Sequence, residues 1–504
     1  MIVTSQSRTF CARAAVLTGA LLAVVACVRT RTPVDAQFVA QWMRTTLAFV
    51  RNERLGAPVA ARISAYASIA VFEGYASDSR TSLRSLSAQL NGLPALPKPS
   101  DPRALDGATV AAEAVRVVLD SLLRDGMPAT RRTLDSLAEA QVAERANTGV
   151  STGDVEASRR HGRLIATALL TWAASDSFYA TRGRTWTVSG RRGEWVNTAN
   201  VSQFVPQTLS GQSDLVQFSN PEIHADAENV TTKGTFSNRP KLQSPTTLPV
   251  FNPTKPTEPY WGNLRPFVLV SGDDCAPPAP PQYSEVPGSA FYQMGKQFHD
   301  TVSALTPAQR GTALFWADNP VATGTPGFHW ISVLSQMVSR RQLTADQSAE
   351  LYALTSIGIA DAFISCWREK YRSLVVRPET WVRRVLDPAF TTVIATPPFP
   401  EYTSGHSVQS AAAVDVLISV LGDTIPFIDS TQIDIGQAPR NFASFSAALS
   451  EVAVSRVYAG VHYFPAVQEG PTQGRCIARR VRTLITRSKR ARAECRTGRE
   501  RRDC

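Results

Sequence analysis

The stretch FPEYTSGHS, residues 399–407, precedes VQSAAAVDVLISVLG, residues 408–422, which has helical spacing and ends at Gly422. It places Ser404, Gly405 and the titratable imidazole of His406 at the start of an apolar helix. A helix N-terminus attracts anions because its first N–H groups have no intrahelical partner and the helix dipole is positive there. Glycine also lets an anion approach the backbone. The stretch therefore predicts an oxyanion site at the mouth of a buried helix.

Basic residues N-terminal to this stretch supply charge for such a site. WREKYRSLVVRP, residues 367–378, carries Lys370 and Arg377 seven residues apart. This spacing corresponds to two helical turns, so both side chains are predicted on one face of a helix that Pro378 ends. Two solvated surface cations would be the simpler interpretation of this pair taken alone.

A third block, SRVYAGVH, residues 455–462, adds Arg456 and His462. Taken alone, His462 would be interpreted as a satisfied polar residue in a turn. Together the three blocks provide three cations, a helix N-terminus and two histidines. Arginine presents paired donors to two oxygens and lysine acts as a point charge, while one histidine can bond the central atom and the other can move a proton. The combination predicts a pocket for a highly charged, phosphate-shaped anion.

The order Lys-x6-Arg-Pro, Ser-Gly-His and Ser-Arg-x5-His resembles the superfamily of vanadium-dependent haloperoxidases and type 2 phosphatidic acid phosphatases. The resemblance spans residues 370–462, extends weakly back to about residue 260, and covers all seven anion-binding positions of the family. It implies that the oxygens of vanadate or phosphate are held by Lys370, Arg377, Ser404, Gly405 and Arg456. It also implies that His462 is the covalent ligand of the vanadium and that His406 is the acid–base residue.

Residues outside this cradle bear on the choice between the two branches. FPEYTSGH is similar to the chloroperoxidase pattern F-P-x-Y-x-S-G-H, and WREK is similar to W-x-x-K. Phe399 and Trp367 are therefore expected to form an exposed wall on the halide side, against the alternative that both rings only fill the core. FWADNPVATGTPGFHW, residues 315–330, resembles the family segment whose aspartate orients the acid–base histidine. This makes Asp318 the expected partner of His406, with His329 in a supporting role.

Two positions depart from the family pattern. Thr403 stands where the family usually has proline, a mild change because threonine can cap a helix. Ala466 stands where the family's His-x3-Asp pattern places an aspartate. In the phosphatases that aspartate orients the nucleophilic histidine, and such a loss is costly. A histidine that only binds vanadium could use a backbone carbonyl instead, so Ala466 favours the haloperoxidase branch.

The resemblance thus implies an enzyme that uses vanadate and hydrogen peroxide to oxidise a halide to a hypohalous-acid equivalent, which reacts with an organic acceptor. The alternative is an exported acid phosphatase with a phosphohistidine intermediate at His462. A third hypothesis is a non-catalytic surface lipoprotein that binds phosphate or another anionic partner. Phe399 suggests competence for chloride, but the sequence does not name the halide, and the acceptor and the oligomeric state are not predicted.

Helical periodicity dominates both ends of the chain, while the middle is rich in Pro, Gly, Asn, Ser and Thr. We predict an all-α fold of two helical bundles of the vanadium haloperoxidase/acid phosphatase type, with a long Pro/Gly-rich loop excursion. The predicted organisation is a signal peptide at 1–27, an N-terminal helical half at 34–176, a loop-rich segment at 177–288, a C-terminal helical half carrying the anion site at 289–488 and a basic tail at 489–504. One predicted helix covers 440–459.

The distribution of charge argues against nucleic-acid binding. The N-terminal sequence indicates an exported protein. The net charge is +11, but residues 475–504 hold twelve Lys/Arg and three Asp/Glu, a net of +9 that leaves about +2 for the rest (11 − 9). Residues 14–26 form an apolar run after two arginines, which is typical of an export signal. VVAC, residues 24–27, resembles a lipobox with Cys27 as a lipid anchor; ordinary cleavage after VDA, residues 34–36, is the alternative. The protein is expected in the periplasm or anchored to the cell envelope of a bacterium, and disulfide pairing is left open.

Overall fold

A computed structural model describes residues 34–182, 184–198, 251–252, 254–320 and 322–487. The predicted signal peptide, the lipid anchor at Cys27 and the basic tail at 489–504 lie outside the described residues. Helices make up most of the described chain, so the predicted all-α class is confirmed.

Five long helices and a short sixth build the N-terminal half. They are α1 (Gln37–Asn52), α2 (Ala57–Ala76), α3 (Gly107–Leu122), α4 (Pro128–Asn147), α5 (Thr152–Ala174) and α6 (Phe178–Thr181). Helix α2 is buried along almost its whole length, since α3, α5 and the long central helix of the other half pack around it. A helix that is apolar on all sides is expected in such a position.

The C-terminal half contains eight helices and one strand pair in its described part. The helices are α7 (Ala290–Ser303), α8 (Pro307–Phe315), α9 (Thr325–Arg341), α10 (Ala345–Ser373), α11 (Pro378–Val385), α12 (Gly405–Leu421), α13 (Phe445–Tyr458) and α14 (Phe464–Val481). Strands β1 (Phe427–Asp429) and β2 (Arg440–Phe442) pair antiparallel, with Phe427 opposite Phe442. Short 3-10 turns lie at Trp261–Asn263 and Ile433–Ile435.

Two predicted helices differ from the observed ones. Helix α10 ends at Ser373 because Leu374 adopts a left-handed conformation (φ 49°), so Lys370 and Arg377 do not share a helix. Arg377 is instead the N-cap of α11, and Pro378 begins that helix rather than ending one. Proline is suited to the first helical position because its missing N–H would have no acceptor there. The prediction of one helix over 440–459 is also wrong at its start, where Arg440–Phe442 is a strand.

Helix α10 forms the centre of the molecule. Its 29 residues include an apolar stretch long enough to cross a membrane, but that stretch is wholly buried inside the protein. It packs against α2 of the first half and against α12 of the second, and so joins the two halves through one hydrophobic core. Burial by α2 and α12 explains its apolar composition without a membrane.

Close packing of α12 against α14 fixes the helix mouth that the sequence singled out. A Cβ added to Gly474 on α14 would lie 2.2 Å from the carbonyl oxygen of Val408 on α12, so only glycine allows this approach. At the mouth of α12, the N–H of Ser404 donates to the carbonyl of Ala466 at 3.1 Å. The first turn of α12 is thus held directly beside the segment that follows His462.

The described part of the loop-rich segment wraps the C-terminal half. A disulfide joins Cys275 to Cys476 on α14 across 201 residues. The carboxylate of Asp361 on α10 accepts the backbone N–H groups of Phe267, Val268 and Leu269 at 2.7–3.1 Å. A covalent link and buried hydrogen bonds therefore hold this irregular segment against the helices that carry the anion site.

Candidate active site

The structure brings the seven predicted anion-binding residues together around the N-terminus of α12. Lys370 comes from the last turn of α10, Arg377 from the start of α11, and Arg456 from the last turn of α13. Four loci separated by up to 92 residues in sequence, from 370 to 462, meet at one place. Four of the side chains are nearly inaccessible, with exposed fractions of 0% for Lys370 and Arg377, 1% for Arg456 and 2% for His462, whereas the side chain of His406 is 13% exposed.

Ser404 and Gly405 form the helix mouth of the site. Ser404 is the N-cap of α12, and its hydroxyl oxygen accepts from the backbone N–H of Ser407 at 3.3 Å and from the Ser407 hydroxyl at 2.9 Å. Its own proton is therefore free to point at an anion. A Cβ at Gly405 would lie 3.4 Å from the ring of Trp367, an ordinary van der Waals contact. Packing alone does not require glycine there, whereas close approach of an anion to the backbone does.

The ammonium group of Lys370 is held by carbonyl oxygens of the stretch that leads to the helix mouth. It donates to Pro400 at 3.0 Å, to Glu401 at 2.9 Å and to Thr403. The same ammonium lies 5.2 Å from the centre of the Phe399 ring. Lys370 therefore both shapes the turn before Ser404 and places a positive charge under the site.

Two arginines have buried donor nitrogens without an acceptor among the described residues. Arg377 donates from Nε to the carbonyl of Phe399 at 2.8 Å and from Nη1 to Val461 at 2.7 Å, while its Nη2 is unpaired. Arg456 donates from Nη1 to the carbonyl of Trp316 at 2.7 Å, while its Nε is unpaired. A buried donor without an acceptor costs about 1–3 kcal/mol, more when charged, so both nitrogens are suited to donate to the oxygens of an anion.

The pKa values of the three cations are all lowered. Burial lowers the pKa of Lys370 to about 8, that of Arg377 to about 9 and that of Arg456 to about 10. Burial disfavours the charged form of each group, and the positive charge of Arg456 adds to the effect on Arg377. An oxyanion between them would offset this repulsion and the desolvation.

His462 is oriented by a carboxylate that the sequence analysis did not identify. Its Nδ1 lies 2.9 Å from Oε1 of Glu401, and the backbone N–H of Tyr463 donates to the same oxygen at 3.0 Å. Because Oε1 already accepts a backbone N–H, it also accepts from Nδ1, which leaves the lone pair on Nε2. Arg377 Nη1 lies 3.4 Å from that Nε2. The side chain of Glu401, rather than a backbone carbonyl, therefore takes the place of the carboxylate missing at Ala466.

Burial keeps His462 neutral. Burial and the nearby cations Arg377, Lys370 and Arg456 hold the pKa of His462 well below its ordinary value. A neutral imidazole with its Nε2 lone pair directed to the cationic pocket can ligate a metal centre or attack phosphorus. Burial raises the pKa of Glu401 to about 7, against the attraction of Lys370 and Arg377.

His406 and Asp318 lie on the other side of the helix mouth. His406 Nε2 is 3.5 Å from Asp318 Oδ2, the outer limit of a hydrogen bond, and has no other polar partner among the described residues. Burial, with the charge of Arg456, lowers the pKa of His406 to about 4. The ring is thus neutral in the anion-free protein, and a bound anion would raise its pKa.

The halide-side residues Trp367 and Phe399 touch each other but differ in exposure. Their rings lie 4.9 Å apart and tilted by 46°. Phe399 is half-buried, whereas Trp367 is only 1% exposed and donates its indole N–H to the carbonyl of Thr257 at 3.0 Å. The expectation of an exposed wall is therefore wrong for Trp367, since its N–H needs an acceptor and finds one in the loop-rich segment.

The donor set fits vanadate better than a bare metal cation. No cluster of three or more His, Cys, Asp or Glu suited to a cation occurs within the described ranges. The cradle instead presents N–H and O–H donors, three cations and a single neutral imidazole nitrogen. Its unpaired nitrogens on Arg377 and Arg456 would be satisfied by the oxygens of a tetrahedral oxyanion. Lys370, Ser404 and Gly405 complete the contacts expected for vanadate or phosphate.

The sequence analysis did not identify Glu401 as a site residue, although it lies within FPEYTSGHS, residues 399–407. The signal was an acidic residue in an otherwise small and apolar segment between basic blocks. Its partner is 61 residues away, and no local pattern links the two positions. It also missed Asp429, which lies 2.7 Å from His329.

Known proteins with this architecture share both the fold and the region of the cradle. A family model described as the VCPO second helical-bundle domain matches residues 350–490. The vanadium chloroperoxidase of Curvularia inaequalis is 25% identical over a region covering 31% of this chain and 36% of that protein. The match thus spans only about a third of that curated relative.

Solved structures of bacterial proteins match over nearly the whole chain. A bacterial vanadium-dependent iodoperoxidase is 29% identical with a TM-score of 0.73, covering 91% of this chain and 99% of the other. A holo-type bacterial vanadium-dependent chloroperoxidase is 14% identical with a TM-score of 0.59, covering 86% and 93%. At that identity the second likeness supports the fold alone. Together with the three sequence blocks and the family model, these findings confirm the similarity of the chain to the superfamily of vanadium-dependent haloperoxidases and type 2 phosphatidic acid phosphatases.

Proposed function

We propose that this chain is a vanadate-dependent haloperoxidase that oxidises halide with hydrogen peroxide and passes the product to an organic acceptor. One observation carries the proposal. The neutral Nε2 of His462 faces three buried cations, and two of them, Arg377 and Arg456, each have a donor nitrogen without an acceptor among the described residues. Such a site needs a tetrahedral oxyanion with a central atom that can bond an imidazole nitrogen.

Each residue of the cradle has a distinct task in this proposal. Lys370, Arg377, Ser404, Gly405 and Arg456 hold the oxygens, and His462 is the ligand. Vanadate, when bound, supplies the Lewis acidity that activates hydrogen peroxide for attack by the halide. His406, neutral in the free protein, takes up and returns a proton beside Asp318. Burial of Lys370, Arg377, Arg456 and His462 keeps bulk water away from these groups and strengthens their electrostatic interactions.

The halide that suits the site best is iodide. Trp367 cannot offer its N–H to a halide because the carbonyl of Thr257 holds it. The remaining halide-side group is the half-buried ring of Phe399, whose face also contacts Arg377 at 4.9 Å. An apolar wall without a donor penalises a small, strongly hydrated anion most. Iodide is the least hydrated and most readily oxidised of the three, and the 29% identical neighbour is an iodoperoxidase.

The test is halide oxidation by purified protein from which the first 33 residues are absent. Peroxide with iodide, bromide or chloride is supplied with and without orthovanadate, and halogenation of a phenolic dye is followed. We expect vanadate-dependent turnover, fastest with iodide. H462A should abolish vanadate binding, whereas H406A should retain binding and lose about 10²–10⁴-fold in turnover. Equal loss of binding in both variants would contradict the division of roles.

Phosphomonoester hydrolysis is the second candidate, and the contact between Glu401 and His462 favours it. In the phosphatases an aspartate orients the nucleophilic histidine, and Ala466 stands at that position. The Glu401 carboxylate can take over this role, because it fixes the tautomer of His462 that leaves Nε2 free to attack. Hydrolysis of a chromogenic phosphate ester, inhibited by vanadate and lost in H462A, would assign the site to this chemistry. Saturable phosphate binding with neither activity would instead support a non-catalytic anion-binding protein.

Export to the cell envelope is part of the same proposal. The disulfide between Cys275 and Cys476 is typical of oxidising compartments. Lipidation at Cys27 is proposed as the means of anchoring. Metabolic labelling with a fatty acid analogue, compared between the natural sequence and C27S, would test it, and label retained in C27S would contradict it.

A further inference from the structure

A second buried ionic cluster adjoins His406 and shares Asp318 with it. His329 Nδ1 is 2.9 Å from Asp318 Oδ1, and its Nε2 is 2.7 Å from Asp429 Oδ2. His329 and Asp318 are each 4% exposed, and Asp429 is fully buried. These residues come from α9, from the loop after α8 and from β1. The strand pair, unexpected in the sequence, thus contributes one carboxylate of the cluster.

The geometry favours a doubly protonated imidazole at His329. Each ring nitrogen faces a carboxylate oxygen, and ionised carboxylates only accept hydrogen bonds. The hydroxyl oxygen of Thr431, 3.0 Å from Nε2, can also accept from the ring, while the amide nitrogen of Gln432, 3.2 Å from Nδ1, donates to Asp318 Oδ1. Burial alone would lower the pKa of His329, but the attraction of Asp318 and Asp429 outweighs it and raises the pKa to about 10.

The cluster restrains the segment that carries Asp318. The ring of Trp316 stacks on His329 with centres 4.3 Å apart and planes 23° apart. Asp318 itself has a positive φ of 49°, a conformation that few residues other than glycine adopt without support. Gln432 donates to Asp318 Oδ1 at 2.7 Å, so this oxygen has two buried partners, His329 and Gln432. The other oxygen, Oδ2, is left for His406.

A cleft extends to this cluster, and none of the seven anion-binding residues lines it. Its walls include His329, Asp318, Thr325, Gln432 and, at the outer part, the ion pair of Arg51 with Asp434 at 3.3 Å. The Thr325 hydroxyl is buried there without a hydrogen-bond partner among the described residues. The cleft thus borders the His329 ring outside the cradle, and removing the side chain in a glycine variant would leave a cavity that opens toward this cleft.

We infer that His329 is a permanently cationic positioning residue that fixes Asp318, and through it His406, by pairing with Asp318 and Asp429. The inference rests on the proposed role of His406 in turnover. The charged groups that face the ring are these two aspartates, while Arg51 and Asp434 across the cleft neutralise each other. With His329 charged, Asp318 stays ionised and directed at His406; without it, a buried unpaired carboxylate would turn or take up a proton.

The first test measures the charge of His329 without any activity. Protein with ¹⁵N-labelled histidine, free of vanadate, is observed by NMR at about pH 7 to 9, where an ordinary histidine is neutral. We expect one imidazolium with both nitrogens protonated, absent in H329Q and weakened at high pH in D429N. Absence of any imidazolium above about pH 7.5 would overturn the inference, whatever the enzyme's activity.

The second test is chemical rescue through the cleft. H329G should lower kcat by about 10–100-fold while changing the Kd of inorganic phosphate less than about threefold. Imidazole should restore turnover, whereas pyrazole, of the same shape but neutral at this pH, should not. Equal rescue by both would show that the ring only fills space and would overturn the inference.

D429N serves if H329G does not fold, because it leaves no buried carboxylate unpaired. It should lower kcat with phosphate binding retained, and wild-type kcat in D429N would overturn the inference. S332A, on the same cleft wall, is the matched control and should behave like wild type. If the unmodified protein shows no turnover at all, the proposed function fails, and the NMR measurement still decides the charge of His329.

Discussion

Replacing Glu401 by alanine should separate the binding of vanadate from the binding of phosphate. Oε1 of Glu401 accepts both the Nδ1–H of His462 and the N–H of Tyr463. Removing it frees the imidazole to rotate and to place its proton on Nε2, the atom that must bond vanadium. Loss of such an orienting partner typically costs about 10–100-fold in metal affinity, or about 1.4–2.7 kcal/mol.

Phosphate should respond differently because it needs no bond to Nε2 in order to occupy the cradle. Its oxygens depend on Lys370, Arg377 and Arg456, and E401A removes a negative charge that lies close to the first two. The affinity for phosphate should therefore stay the same or rise. The quantity that tests the reasoning is the ratio of the two dissociation constants, which should change by at least about tenfold.

Isothermal titration calorimetry of each oxyanion into vanadate-free protein at about pH 8 provides both constants. E401Q keeps an acceptor oxygen and should fall between E401A and the natural protein. E350A removes another buried carboxylate, which contacts Thr486 and Arg487 away from the cradle, and is the control for lost stability. An equal change for both anions, or an unchanged vanadate constant in E401A, would refute the orienting role of Glu401.

Three further predictions concern stability and the halide-side wall. Since the folded pKa of His329 is about 10 and its ordinary value 6.5, its charge stabilises the fold fully below about pH 6.5 and that contribution, at most about 5 kcal/mol, is lost as pH rises to about 10. The free energy of unfolding, measured with urea, should fall more steeply between pH 7 and 10 for the wild type than for D429N. Equal pH slopes of the two proteins would contradict this. Replacing both Cys275 and Cys476 by serine should lower the unfolding free energy by about 2–5 kcal/mol, because the bridge closes a loop of 201 residues; a loss below about 1 kcal/mol would count against it. W367F should cost about 1 kcal/mol of stability and leave the iodide-to-bromide rate ratio unchanged, because the indole N–H points to Thr257, and a changed ratio would show that it reaches the halide.

The fold class and the location of the site were predictable from local signals. Ser404, Gly405 and the apolar run after them mark a helix mouth by composition alone, and α12 begins at Gly405. The long apolar α10 was equally visible, with its capping Thr344 at the start. These features depend on neighbours within one or two helical turns, which a pattern of residues can report.

Helix boundaries near the cradle were less predictable. Pro378 reads equally well as the end of one helix or the start of the next, and the left-handed Leu374 decided between them. The strand Arg440–Phe442 was not recognisable in a segment with helical spacing, because its strand character comes from pairing with Phe427–Asp429 rather than from its own period. Both outcomes depend on contacts with other segments.

By itself the sequence determined that three cations, two histidines and a helix N-terminus belong to one oxyanion site, because each residue type and its order in the chain carry that chemistry. The resemblance also indicated Asp318 as the partner of His406, but only the tertiary structure decided which carboxylates serve His462 and His329. Glu401 reaches His462 across 61 residues, and Asp429 reaches His329 across 100. Hydrogen bonds extend about 3 Å in space and have no fixed separation along the chain. A partner chosen by packing therefore becomes visible only when the helices that carry it are in place.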